Sequence, residues 1–199
     1  MDRKTIGKIV RSNSHTDYVC QVYRQGEVAE PPTPVDYAFG TFVRIACESA
    51  PPSWLIGVVY NTILMNPEFG NLGPRLSPEP DLQVFSPDYL SEKVTLVGIL
   101  ALGMLNAGGK VDQGVPRLAA VVDALVEQVS EQELRAFHQK NASLLLGYVP
   151  RLVAEPSPLI PHLLLDIVSK VEAVLPEHSA QLVVLRNTLA WKTFIQPLG

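Results

Sequence analysis

The chain has 199 residues, which is long enough for one domain with a full core or for two small domains. Hydrophobic residues make up 47% and charged residues 18% of it, as in an ordinary globular protein. The net charge of −4 gives no basis for a general affinity for nucleic acid or anionic membranes. The longest uncharged stretch, residues 94–109, is shorter than the ~20 residues of a spanning helix, so we expect no membrane span.

The first half of the chain carries apolar, β-branched runs separated by turn residues, which is typical of strands. The central hairpin, residues 37–65, has a Pro-Pro-Ser turn, and Gly40 and Gly57 mark expected bulges or close backbone approaches. Both faces of most runs are apolar, which favours a small closed β-barrel. We predict strands at residues 5–11, 17–23, 39–46, 54–64 and 94–102.

Cys20 and Cys47 are the two cysteines, and each lies inside one of these apolar runs. Their spacing matches no zinc or redox motif, and the first residues do not resemble a secretory leader. We therefore expect buried free thiols and a location in the reducing cytoplasm.

Two proline-rich segments, residues 30–36 and 66–89, interrupt the strands, because proline cannot donate to a strand ladder. The second predicts a long ordered loop, and loops of that length in a compact domain are commonly functional or flexible. We take both segments as candidate surfaces for contact with a protein partner. Their candidate contact residues are Pro31, Pro32, Pro34, Asp36, Pro74, Arg75, Pro78 and Pro80.

After Gly108 and Gly109, which we expect to form a hinge, the apolar period changes from two to 3.6 residues. This period predicts a helix that begins near Pro116. Its apolar stripe would consist of Leu118, Val121, Val122, Leu125 and Val129.

Further helix signals follow. Ser130 and Glu133 have the spacing of a capping box, which predicts the start of a second helix. A third is expected at residues 142–150, extending to 153, and a fourth from Ser157 to Pro176, with Leu164, Ile167, Val168, Val171 and Leu175 inward. Ser179 is expected to cap a last helix with Leu182, Leu185, Leu189 and Trp191 on its apolar face.

These elements predict an α+β fold, a small closed barrel followed by a C-terminal α-helical bundle. The expected domains are residues 1–107, with the proline-rich loop at 66–89, and residues 108–199, with four to five helices.

Residues 103–110, GMLNAGGK, superficially resemble a phosphate-binding loop. The spacing from Gly103 to the Gly-Lys pair is one residue too long, and Val111 replaces the hydroxyl residue that holds magnesium. Nucleotide hydrolysis is therefore not expected, and neither is any cofactor.

His162 and Asp166 are four residues apart on a predicted helix, which suits a metal pair or an oriented base. Because no third ligand is evident nearby, a structural or surface pairing is favoured. His138 is expected at a helix C-terminus, and no catalytic motif is recognised.

Several aromatic residues could form a stacking platform for nucleic acid. Only Arg24 and Arg44 lie close to them in sequence, so core packing is favoured. These aromatic residues are Tyr18, Tyr23, Tyr37, Phe39, Phe42 and Trp54.

The runs IGKIVRSNSHTDYVCQV, FGTFVRI, LIGVVYNTIL and VTLVGIL together resemble the HAS barrel, the small β-barrel of HerA-type and ATP-synthase-type ATPases. In that family the barrel precedes a RecA-like motor and helps hold subunits in a ring. Here helical residues replace the motor, so the resemblance covers roughly half of the chain. With QGVPRLAAVVDALV and VVLRNTLAWK added, the whole chain also resembles an uncharacterised family of cyanobacterial-type proteins.

The leading hypothesis is a non-enzymatic assembly or adaptor protein that docks on a protein partner or associates with itself. The alternative is a nucleic-acid-binding accessory protein that acts through the barrel, although the charge does not favour nucleic acid as a partner. A third hypothesis is an enzyme with a cleft between barrel and helices that uses His162 and Asp166.

Overall fold

The computed structural model describes residues 3–65 and 94–194. The barrel sheet consists of β1 (Thr5–Ser14), β2 (Asp17–Val22), β3 (Phe42–Cys47), β4 (Ser53–Met65), β5 (Val94–Asn106), β6 (Val111–Gln113) and β7 (Leu125–Gln128). Six of these antiparallel strands form a closed ring in the order β1–β2–β5–β4–β3–β7, and β7 pairs back to β1. The seventh strand, β6, pairs with β5 outside the ring.

Alternation along the strands separates two hydrophobic cores. Along β3, Val43 and Ile45 belong to the core inside the barrel, whereas Phe42 belongs to a core on its outer surface. Every one of these three side chains is buried. Strands with apolar residues on both faces therefore close around one core, as predicted. They also offer a second apolar surface to the helices, which was not predicted.

The two glycines of the central hairpin have distinct roles. A register shift lies between Ile56 and Gly57, so the expected bulge is confirmed. Gly40 has φ +78°, and a Cβ atom there would lie 1.7 Å from Asp166 Oδ2. The expected close approach at Gly40 is therefore to a helix side chain.

The predicted helix after Pro116 is wrong. No helix forms at residues 116–130, and β7 lies in this part of the chain. Together with β6, which precedes Pro116, it continues the barrel sheet beyond the boundary expected at residue 107. β7 fills the space between β1 and β3 and satisfies the backbone groups on both edges. Of the predicted stripe, Leu118, Val121, Val122 and Leu125 are exposed.

The capping box is confirmed: Ser130 Oγ accepts from the Glu133 amide and the Glu133 carboxylate accepts from the Ser130 amide. This cap begins α1 (Glu131–His138). The helix predicted at residues 142–150, with its extension to 153, is observed only at its end, as a helix at Val149–Val153. Its first part is wrong, because Asn141 and Ala142 have positive φ values and turn a hairpin between β8 (Gln139–Lys140) and β9 (Ser143–Leu144).

Three more α-helices follow, α2 (Val149–Val153), α3 (Ile160–Val174) and α4 (Ser179–Phe194), with a 3₁₀ turn at Pro176–His178 before α4. The inward face predicted for α3 and the residue after it is confirmed, since all five predicted side chains are buried: Leu164, Ile167, Val168, Val171 and Leu175. On α4, Leu182 and Leu189 are buried, but Trp191 is 57% exposed, contrary to the prediction. Ser179 is the first residue of α4, and its hydroxyl donates to Glu172.

The helices and the barrel share the outer core. Residues of β3, β4 and β5, such as Phe42, Ile56 and Leu102, pack in one cluster with helix residues such as Leu163 and Leu182. α3 contacts α1, α2 and α4, so it lies at the centre of the helical layer. The helical part consequently has no separate core within the described residues.

Candidate interaction surface at one barrel end

The first predicted contact loop lies at the barrel end formed by the start of β3 and the end of β7. The Thr33 amide and hydroxyl donate to Asp36 Oδ2 at 2.7 and 2.8 Å, which closes a local turn. Gln128 Nε2 donates to the Asp36 carbonyl at 2.8 Å and ties this turn to β7. Tyr37 packs against the inner core. The loop therefore has a fixed position and covers this end.

The predicted contact residues of this loop differ in exposure. Pro34 is exposed, whereas Pro31, Pro32 and Asp36 are half-buried. Val35, which the sequence interpretation did not select, is 81% exposed. The remaining candidates, Pro74, Arg75, Pro78 and Pro80, lie outside the described residues.

An arm extends from the same end. Residues 61–65 of β4 pair with residues 94–98 of β5, of which residues 96–98 also pair with β2, so that Val94 and Thr95 pair with β4 alone. The loop meets the base of the arm, because the Gly40 amide donates to the Val59 carbonyl at 2.7 Å. No described strand pairs with the opposite edge of residues 61–65.

The arm is uncharged and apolar side chains dominate its tip. Ile63, Leu64 and Met65 are 44%, 77% and 51% exposed, respectively. Edge strands usually carry charges or prolines that prevent pairing with another chain, and residues 61–65 have neither. We define the loop residues 31–39 together with the arm residues 61–65 and 94–96 as the open-end surface.

A network of ion pairs fixes α1 to the barrel. Arg44 on β3 donates to Glu127 of β7 at 2.5 Å and to Glu133 of α1 at 2.9 Å, and its guanidinium lies 4.8 Å from the ring centre of Trp54. Arg3 also pairs with Glu133. Burial acts to raise the pKa of Glu133, but the Ser130 and Arg3 hydrogen bonds and the Arg44 charge outweigh it and lower that pKa.

A buried histidine joins α1 to the start of α2. His138 is the last residue of α1, as expected, and is fully buried. Its Nδ1 donates to the Leu134 carbonyl at 2.9 Å, and its Nε2 accepts from the Tyr148 hydroxyl at 2.8 Å. Burial lowers the pKa of His138 to about 4, so the ring is neutral near pH 7. The sequence interpretation missed Tyr148 as its partner.

The other residues considered for catalysis, phosphate binding or metal binding have structural roles. Asp166 forms an ion pair with Lys170 Nζ at 2.8 Å and lies against Gly40. Residues 103–110 form the end of β5 and its turn into β6, so Gly108 and Gly109 belong to a hairpin and not to the hinge that was predicted. The described part of the chain contains no group of three or more His, Cys, Asp or Glu side chains placed to hold a metal ion.

Neither cysteine has the environment of a nucleophile. Cys20 is fully buried and Cys47 half-buried, so the expectation of burial holds fully for Cys20 alone. Burial raises the pKa of Cys20 to about 12 and also raises that of Cys47. Both thiols are therefore protonated at neutral pH.

The proposed aromatic platform does not form on one surface. Tyr18 lies in the inner core and Phe42 in the outer core. Phe39 is 37% exposed. Aromatic residues in separate cores cannot stack successive bases of one strand.

None of the helices within residues 3–65 and 94–194 has both the length and the hydropathy needed to cross a membrane. A comparison with curated proteins found no match. One family model matches residues 1–197, which include both the barrel and the helical layer. The chain therefore belongs to the family described as Domain of unknown function (DUF8166).

Proposed function

We propose that this protein is a non-enzymatic assembly or adaptor protein that binds a protein partner or a second copy through its open-end surface. The observation that carries this proposal is the exposed apolar arm beside the exposed loop at one end of a closed barrel. Contiguous exposed apolar side chains on a sheet edge suit contact with another protein. The pairing edge of residues 61–65 could add a strand of that protein.

Support also comes from the fixed position of this surface. The Thr33–Asp36 turn and its bond to Gln128 hold the loop, and the closed barrel holds the base of the arm. A surface that is ordered before binding loses less conformational entropy on association. The helical layer covers the outer faces of β3, β4 and β5 and thereby stabilises the strands that carry the arm.

We also propose that the barrel is of the HAS type. The HAS-like resemblance implies a barrel that serves assembly, and a closed six-stranded antiparallel ring is compatible with it. In this chain the helices take the place of a motor, which favours binding over catalysis. The protein acts without a cofactor in this proposal. The proposed location is the cytoplasm, which the free thiols of Cys20 and Cys47 support.

Nucleic-acid binding through the barrel has weaker support, because Tyr18 and Phe42 lie in separate cores and Arg44 is engaged by two glutamates. It predicts binding at low salt with a steep decrease as salt is raised. Absence of binding to single- or double-stranded DNA and RNA at low salt would remove it.

Site-specific photo-cross-linking in the native host tests the proposal. A photoreactive amino acid at Val35 or Leu64 is expected to give discrete protein adducts. The matched control is Val184 on α4, which is 66% exposed but lies outside the open-end surface, and it is expected to give none. The variant Leu64→Asp should abolish the adduct at position 35. Equal adducts at all three positions, or a monomer without adducts, would contradict the proposed surface.

A further inference from the structure

A cleft lies between two hairpin turns at the opposite end of β5 from the arm. The turn between β5 and β6 forms one side, and the β8–β9 hairpin forms the other. The cleft has a volume of about 240 Å³, which is enough for a single small polar group but smaller than a typical cofactor site. Its lining residues are Gly108, Gly109, Lys110, Val111, Gln139 and Lys140.

The lining carries positive charge without a balancing carboxylate. Almost all described lysine and arginine side chains lie within 4 Å of a carboxylate oxygen; the exceptions are Arg11, Lys110 and Lys140. Two of these three unpaired cations thus line the same cleft, and no aspartate or glutamate lines it. In an acidic protein this arrangement leaves a local positive potential.

The backbone on both sides of the cleft is held in place. The Lys110 amide donates to Asn106 Oδ1 at 2.8 Å, and the Gly109 amide donates to the Asn106 carbonyl at 2.9 Å. On the other side, Lys140 pairs with Ser143 in the β8–β9 hairpin.

Gln113 of β6 connects the two sides. Its Nε2 donates to the Phe137 carbonyl at 2.8 Å, and its Oε1 accepts from the Gly147 amide at 2.6 Å. These bonds join β6 to the residues just before and after the β8–β9 hairpin, and they limit movement of one hairpin relative to the other.

We propose that this cleft binds a phosphate monoester or inorganic phosphate between the ammonium groups of Lys110 and Lys140. Lysine is a common phosphate ligand and acts as a point charge, and two of them match the dianionic form of the group. The volume suits the phosphate group itself, with the rest of the ligand extending into solvent. This site is independent of the open-end surface, because it lies at the far end of β5.

Titration of the ¹⁵N-labelled full chain with sodium phosphate tests the proposal, with sodium chloride at equal ionic strength as the reference. We expect saturable amide shifts confined to residues 108–111 and 139–140. Lys110→Gln and Lys140→Gln are each expected to weaken binding about fivefold, as for the loss of about 1 kcal/mol of ion-pair energy. Arg11→Gln, the third unpaired cation, is the matched control and should bind as the wild type does.

Shifts that do not saturate, or that chloride reproduces, would overturn the proposal. An equal loss of binding in Arg11→Gln would overturn it as well, because it would indicate general charge attraction. Circular dichroism of each variant verifies the fold. A second titration with a phosphoserine peptide separates the sources of the ligand. If the phosphoserine peptide binds more tightly than inorganic phosphate, the phosphate group belongs to a partner protein. If the two bind equally, the ligand is a free phosphate-containing molecule.

Discussion

Replacing His138 by glutamine should reduce the dependence of stability on pH. His138 is fully buried, and its two ring nitrogens are used by the Leu134 carbonyl and the Tyr148 hydroxyl. Phe42 and Phe137 pack edge-on against its ring. A proton added to Nε2 would therefore place a positive charge in an apolar cluster and would face a hydroxyl that already donates.

The magnitude follows from the difference in pKa between the two states. Burial lowers the pKa of His138 from its ordinary value of 6.5 to about 4 in the folded protein. Between these values the unfolded chain binds more protons than the folded one, so the free energy of unfolding falls as the pH is lowered through this range. From pH 7.5 to pH 4 this contribution amounts to about 3 kcal/mol. As the pH falls well below 4, His138 becomes protonated in the folded state as well, and the contribution approaches its limit.

Urea unfolding followed by tryptophan fluorescence at pH 7.5 and pH 4 measures the effect. His138→Gln is expected to be less stable than the wild type at pH 7.5, because packing is lost, but to lose about 3 kcal/mol less on acidification. Leu163→Ala removes buried packing on α3 without changing a titratable group and is the control, with the acid loss of the wild type expected. Equal losses of unfolding free energy in His138→Gln and the wild type between the two pH values would contradict a lowered pKa of His138 in the folded protein.

Two further changes test how the helices are fixed to the barrel. Arg44→Ala should lower the free energy of unfolding by about 3 kcal/mol, because it leaves the carboxylates of Glu127 and Glu133 half-buried without their shared cation. Arg44→Lys should lose less, and an alanine variant as stable as the wild type in urea would exclude a structural role for the network. Gly40→Ala should cost about 2 kcal/mol or more in thermal unfolding, because its φ of +78° disfavours a side chain and its Cβ would overlap the Asp166 carboxylate. Asp166→Ala in the same chain should restore part of that loss; no restoration would refute the proposed contact.

The tertiary contacts, more than local propensity, decide the middle of this chain. Residues 118–129 have a helical apolar period, yet Ala124 and Val126 face the inner core and β7 pairs with both β1 and β3. The barrel cannot close without a strand at this position, since the edges of β1 and β3 would otherwise lack partners. The apolar period of a segment does not show whether the sheet needs one more strand to close. The sequence alone therefore predicted a helix at residues 118–129.

At the candidate interaction surface and the lysine cleft, too, the sequence predicts some features and the tertiary structure decides the others. Proline density correctly predicted a loop around Asp36, because prolines prevent regular pairing, and the role of this loop in binding stays a prediction. The sequence did not predict Val35 or the arm residues Ile63–Met65 as contact residues. The apolar pattern of a strand does not show which of its residues extend beyond the end of the neighbouring strand. Lys110 and Lys140 are thirty residues apart, and only the packing of two hairpins through Gln113 brings them to one cleft.

The amino-acid sequence by itself determined the α+β class, the apolar strands on both sides of the Pro-Pro-Ser turn, the capping box at Ser130 and the buried face of α3. All of these depend on neighbours within about one turn or one strand. The closure of the barrel by β7, the buried pair of His138 and Tyr148 and the position of the open-end surface were decided by the tertiary structure. Each of them requires groups that are distant in sequence or that lie on different elements, and it is the satisfaction of their backbone and side-chain hydrogen bonds that selects this arrangement.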